Sequence, residues 1–347
     1  MDSKQREKWL KTRKAKRALD ISDLVQGVLN GDRDALGQAI TRVESTNAND
    51  RPLALKLLNQ TKQAQGKALR IGITGVPGVG KSTFIESFGL YLVSLGKRVA
   101  VLAVDPSSEK NKGSILGDKT RMNQLSINDS VFIRPSPSGG TLGGLARSTN
   151  ESIRLCEAAG YDVILVETVG VGQSETMVKQ SVDFFLLLML SGAGDELQGI
   201  KRGIMELADL LVITKADGNN IKPAKYAAAE YKNALHLFPA NENQWIPKAQ
   251  TCSAYENLGL DTIWTEMESF VNLTKINGWF ERNRLNQQKY WLDTLVRNEL
   301  IIRFKKIEEF EKLLELAEID IANNAANAFT LAPDIVNQIF QKYVKKD

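Results

Sequence analysis

The chain is poor in residues that bind transition metals: its 347 residues include one histidine, His236, and two cysteines, Cys156 and Cys252. The cysteines stand 96 positions apart, so they form neither a metal-ligand spacing nor a disulfide framework, and the sequence reads as that of a reducing cytoplasm. His236 lies among Ala234, Leu235 and Leu237, a setting for a packed or surface histidine rather than a ligand. No His-rich or Cys-rich tract is present, which excludes the metal-storage segment expected of a nickel- or zinc-inserting protein. Long apolar runs are also missing. The longest, Phe184 to Leu190, has seven residues, against the roughly 20 that a membrane-spanning helix requires. No apolar segment follows the basic start, so a secretory signal is not expected. Internal repeats and low-complexity tracts are absent too.

What is present is globular: 43% apolar and 25% charged residues, enough chain for more than one domain. The net charge of +4 is concentrated at the start. Residues 1–20 hold eight Lys/Arg against three Asp/Glu, whereas residues 21–347 hold 37 against 38. Such a head can touch nucleic acid, an anionic membrane or an acidic partner, but a solvated, frayed terminus is the simpler reading. Neither nucleic acid nor membrane is therefore expected as a partner.

Ile21, Leu24, Val25, Val28 and Leu29 follow helical spacing, and Gly31 then Asp32 supply a stop and a new cap before Leu36, Ala39, Ile40 and Val43. From about residue 66 the pattern changes to short apolar runs separated by helical stretches. The runs are Leu69–Thr74, Arg98–Val104, Val131–Arg134, Asp162–Glu167, Phe184–Leu190, Leu210–Thr214 and a weaker Lys248–Cys252. This alternation predicts an α/β fold, a mostly parallel sheet with helices on both faces. After about residue 275 the strands stop, and Val296, Leu300, Phe304, Ile307, Phe310 and Leu314 trace one helical stripe. We therefore expect a helical extension over 1–65, the sheet domain over 66–275 and a helical arm over 276–347 whose apolar stripe needs a partner surface.

The run Leu69–Thr74 leads directly into Gly75-Val76-Pro77-Gly78-Val79-Gly80-Lys81-Ser82-Thr83, a Gly-x4-Gly-Lys-[Ser/Thr] phosphate-binding loop with a strand before it and a helix after it. Gly75, Gly78, Val79 and Gly80 let backbone N–H groups curl around the α- and β-phosphates. Lys81 reaches the β- and γ-oxygens, the Ser82 hydroxyl suits Mg²⁺, and Thr83 continues the loop into the helix N-terminus.

A second constellation selects the base. Leu210–Thr214 ends in Thr214-Lys215-Ala216-Asp217, a variant of the Asn-Lys-x-Asp motif of GTPases with Thr in place of Asn. The Asp217 carboxylate can accept from both N1–H and the N2 amine of guanine, which adenine cannot match, so the nucleotide is GTP or GDP rather than ATP. Ser253-Ala254 fits a further loop backing the base, although alone it is a common dipeptide. The third element is Asp162–Gly170, an apolar run ending in Glu167, with Gly170 three residues on to offer its N–H to a γ-phosphate. Asp105 and Asp118 are either further carboxylates able to reach the metal or ordinary turn and cap residues. Val171 occupies the place after Gly170 where a water-positioning Gln often stands, so slow intrinsic hydrolysis is expected.

Five longer blocks resemble one family: Val104–Ser108, Gly113–Met122 (GSILGDKTRM), Phe132–Gly144 (FIRPSPSGGTLGG), Glu167–Glu175 (ETVGVGQSE) and Gly192–Gly203 (GAGDELQGIKRG). Together they look like the MeaB/ArgK family, GTPase chaperones of cobalamin-dependent acyl-CoA mutases. The resemblance implies a P-loop GTPase fold with N- and C-terminal helical extensions, a homodimer formed through the C-terminal arm, and Mg²⁺ gathered by Ser82, Asp105, Asp118 and Glu167. It implies that Lys215 and Asp217 hold guanine. It also makes 192–201 a switch loop that senses the mutase, with Lys201 as its catalytic or signalling cation and Ser191 standing where the family has Pro. The implied role is to gate transfer of adenosylcobalamin into a mutase, methylmalonyl-CoA mutase first, and to protect or rescue that enzyme. Two other classes compete. A signal-recognition-like targeting GTPase lacks its Met-rich tail here, since none of the six Met lies beyond Met267. A kinase acting on a transport or binding protein would need a general base and acceptor pocket, and neither is legible.

Overall fold

The structure is a computed structural model that describes residues 20–47, 49–104, 122–135, 142–168, 174–192, 202–239 and 241–343. Two compact units are delimited, residues 1–285 and 286–347. Among the described residues no helix is long and apolar enough to cross a membrane.

Among the described residues the first unit has seven strands: β1 (Leu69–Gly75), β2 (Val99–Val104), β3 (Val131–Pro135), β4 (Val163–Thr168), β5 (Phe184–Met189), β6 (Leu210–Ile213) and β7 (Lys248–Thr251). Their order is β3-β2-β4-β1-β5-β6-β7 and every neighbouring pair is parallel. All seven expected runs are strands, ending within a residue or two of where the sequence places them. The five central and near-central strands β1, β2, β4, β5 and β6 read as continuous apolar runs because helices cover both faces. Alternate side chains divide between two cores. Val99, Val101, Val163 and Leu165 pack on one face with Phe84, Phe88, Trp264, Met267 and Phe270. Ala100, Leu102, Ile164 and Val166 pack on the other with Leu36, Ile40, Leu57, Ile153 and Leu155. β7 reads weakly because it is the edge strand and only half-buried.

That second core explains the N-terminal helices α1 (Ile21–Leu29), α2 (Arg33–Glu44) and α3 (Asp50–Thr61). Gly31 takes φ +74° between α1 and α2, and the Asp32 carboxylate caps α2 by accepting from Asp34 N and Ala35 N at 2.8 and 2.9 Å. Their apolar stripes lie against β2, β4 and the helix α6 (Leu142–Ala158), with α5 (Asn123–Ser126) leading into β3. Ion pairs pin the same layer: Arg51 to Glu151 at 2.6 Å and Arg134 to Glu44 at 2.5 Å.

At the opposite end of the strands from the phosphate loop, buried Asp183 receives Arg70 of β1 through its backbone N and guanidinium, and Arg284 through Nε and Nη2 at 2.8 and 2.6 Å. Arg284 Nη2 also donates to the Ala68 carbonyl at 2.6 Å. Burial pushes the Asp183 carboxyl up, but the two guanidiniums outweigh it and hold the group at about 2. No local sequence pattern announces this triad, whose members are brought together by the strand order.

Beyond α6 the first unit carries α7 (Ser174–Lys179), α8 (Arg202–Leu207), α9 (Ile221–Leu235) and α10 (Leu260–Ile276), and the residues of α11 (Trp279–Lys305) fall in both units. In the second unit α12 (Glu308–Ala322) and α13 (Ala328–Tyr343) follow it. The expected single stripe from Val296 to Leu314 is in fact carried by two helices. Ile307 leaves helical geometry at φ −84° and ψ 110°, with neither Gly nor Pro to signal the break. The ring of Phe304 meets Phe310 edge-on at 5.8 Å and Phe340 at the same distance, so packing across the corner replaces continuation of the helix.

Candidate nucleotide site

The phosphate loop leaves the C-terminal end of central β1. Gly75 is fixed by lack of space, since a Cβ there would sit 2.5 Å from the Leu188 carbonyl oxygen of β5. Gly78 and Gly80 take φ +76° and +89°, which disfavour any other residue. Gly80 is also the cap of α4 (Lys81–Ser94) and brings no side chain to it, the arrangement suited to an anion at the helix N-terminus. Lys81 Nζ donates to the Gly75 carbonyl at 3.0 Å, folding back across the loop. Val79 is buried and Thr83 is exposed in the first turn.

The Ser82 hydroxyl stands 3.4 Å from Oε1 of Glu167, one residue before the end of the adjacent β4. The two groups expected at the metal are thus brought together, both hard oxygen donors of the kind that Mg²⁺ accepts alongside phosphate and water. Behind them the buried hydroxyls of Thr74 and Thr168 bond at 2.8 Å, tying the end of β1 to that of β4. Asp105, Asp118, Gly170 and Lys201 lie outside the described residues, as do Val171 and the basic head.

The segment expected to read the base follows β6, two strands from β1. Lys215 has φ +56°, and its Nζ donates to the Gly78 carbonyl at 2.9 Å, reaching over the phosphate loop. The Thr214 hydroxyl lies 2.8 Å from the Val79 carbonyl and 3.3 Å from that of Met189, so the Thr that replaces Asn keeps a tie to the phosphate loop. Ser253 donates its hydroxyl to Oδ2 of Asp217 at 2.6 Å, leaving the carboxylate oriented and half-buried. Ala254 is held through its carbonyl, which accepts from Ser87 of α4 at 2.7 Å. The loop that carries these residues is closed by a bridge between Ser253 and Leu258. The phosphate loop, the Ser82–Glu167 pair expected at the metal and the loop expected at the base therefore share the C-terminal edge of one sheet, where α/β folds bind ligands.

Sequence reasoning missed several contributors: Ser87, the Thr74–Thr168 pair, and Asn220, whose Nδ2 donates to the Lys215 carbonyl at 2.7 Å. Ser87 and Asn220 lie outside the motifs read from the sequence, and although Thr74 and Thr168 fall within two of them, nothing in either segment announces that the two hydroxyls pair. Both cysteines are buried, and burial raises both thiols, Cys252 to about 12, so neither is a nucleophile at neutral pH. His236 is exposed at the end of α9 (Ile221–Leu235).

Residues 36–309 match the family described as methylmalonyl-CoA mutase-associated GTPase MeaB. A putative GTPase of Caulobacter vibrioides is 54% identical over 288 residues, 83% of this chain and 88% of that protein. The mouse (Mus musculus) methylmalonic aciduria type A homolog, mitochondrial, is 46% identical over 88% of this chain and 76% of its own length. Among solved structures, the one described as LAO/AO transport system kinase is 36% identical, with a TM-score of 0.74 over 93% of this chain and 99% of that one. On its fold, its site and these matches, the chain belongs to the MeaB family of methylmalonyl-CoA mutase-associated GTPases.

Proposed function

We propose that the protein binds and hydrolyses GTP with Mg²⁺ and, as a homodimer in the cytoplasm, gates the loading of adenosylcobalamin into a cobalamin-dependent acyl-CoA mutase, methylmalonyl-CoA mutase first. The observation that carries the nucleotide reading is the Asp217 carboxylate fixed by Ser253 on the same sheet edge as Lys81 and Ser82. In this reading Asp217 accepts from the guanine edge, Lys215 lies between base and phosphate loop, and the loop N–H groups and Lys81 hold the phosphates. Lys81 leaves the Gly75 carbonyl for the β- and γ-oxygens once nucleotide enters. Ser82 and Glu167, joined by Asp105 and Asp118, would hold the metal, which supplies charge neutralisation at the β- and γ-phosphates. Gly170 donates its N–H to the γ-phosphate, and the partner completes water positioning through 192–201 and Lys201. The mutase assignment rests on the family's description and on the five matching blocks.

The test is GTP turnover by the purified chain with and without methylmalonyl-CoA mutase, with ATP as control. Stimulation confined to GTP supports the reading. Turnover indifferent to the mutase would remove the chaperone role, and phosphate appearing on a protein instead of in solution would favour a kinase. Lys81→Ala is expected to abolish turnover; unchanged turnover would contradict the site.

A further inference from the structure

Asn220 occupies the cap position of α9 but makes no capping bond, because its own backbone is already helical at φ −91° and ψ −2°. An Asn at a helix start normally accepts a first-turn N–H through its side chain. Here both ends of the amide serve another purpose. Nδ2 donates to the Lys215 carbonyl at 2.7 Å, and Oδ1 accepts the Ser191 hydroxyl at 2.5 Å. The backbone N of Asn220 donates to the Asp217 carbonyl at 2.8 Å. One residue thus grips the main chain at both base-reading positions and ties it to Ser191, where β5 leaves the sheet. Lys215 is the residue that such a grip serves: φ +56° is disfavoured for a lysine, and it is from this backbone setting that its ammonium reaches Gly78.

We propose that Asn220, braced by Ser191, is a positioning residue of the nucleotide site, holding Lys215 in its left-handed conformation so that its side chain spans the base and the phosphate loop. The inference rests on the guanine-nucleotide reading above. Asn220 touches neither base nor phosphate and acts through Lys215.

The test is the affinity of the full-length chain for a fluorescent GDP analogue, read together with the melting temperature of the nucleotide-free protein. Asn220→Ala should weaken GDP binding about 5- to 10-fold, the equivalent of one lost hydrogen bond, with an unchanged melting temperature. Asn220→Asp should be at least as damaging, because a carboxylate of the same size faces the Lys215 carbonyl and cannot donate to it. Ser191→Ala, which keeps that donor, should lose less. On a Lys215→Ala background, Asn220→Ala should cost little more. Wild-type affinity in Asn220→Asp, a full further loss on the Lys215→Ala background, or affinity and melting temperature falling in parallel would each overturn the proposal. Failure of the underlying reading looks different: the unaltered chain would then bind ADP as well as GDP, or neither.

Discussion

Single side chains carry both the proposed base choice and part of the acid stability. In the proposed site Asp217 accepts where guanine donates, so Asp217→Asn would reverse the polarity of one contact. We expect its GDP affinity to fall at least 100-fold, while a nucleotide carrying xanthine, with a carbonyl in place of the amine, gains; competition binding with the two diphosphates checks this. At the other end of the strands, Asp183→Asn removes the buried carboxylate that Arg70 and Arg284 share, with Glu157 still beside them, which should cost about 3 kcal/mol in urea unfolding. The same carboxyl shapes the acid limb of stability. Its pKa is depressed in the folded chain, from 3.8 to about 2, so its contribution is complete above the unfolded value and drains away as pH falls from there towards 2. Unfolding midpoints measured through that range should fall more steeply for the parent chain than for Asp183→Asn.

At the scale of helices and strands, local chemistry made much of the fold legible. Gly31 and Asp32 specify the corner between α1 and α2, and replacing the cap with Asp32→Ala should lower stability by about 1 kcal/mol, visible as a drop in melting temperature with nucleotide binding intact. The phosphate loop was legible for the same reason, because Gly75, Gly78 and Gly80 are each required by the backbone in which they sit. Elements set by distant partners were not. The break at Ile307 depends on rings contributed by three helices, and the Arg70–Asp183–Arg284 triad joins residues that no window spans. Thr214 shows the middle case: the departure from Asn was visible, but only packing reveals that a hydroxyl reaching Val79 keeps a tie to the phosphate loop.

For the molecule as a whole, the second unit presents a row of apolar side chains that stay at least half exposed among the described residues. Leu292, Val296 and Leu300 recur every four residues along α11 and are 66, 50 and 52% exposed. A stripe of that kind on water favours self-association. Light scattering should therefore report about twice the chain mass of 38.4 kDa, and Leu292→Asp combined with Leu300→Asp should return the single-chain mass without loss of GDP binding.

The strand order also sets a timetable for synthesis. β1 is made first of all the strands, yet it pairs with none of its immediate successors: Leu69 waits for Val163, and Ile71 for Phe184. While the ribosome makes the intervening chain, the central strand of the sheet lacks both of its strand partners and has α4 for cover. Nucleotide offers no rescue in that interval, because Asp217 and Ser253 emerge later still. Nascent chains should accordingly lean on cellular holdases until β5 appears, and a pause in translation before Phe184 would be more damaging to yield than one after Ser253.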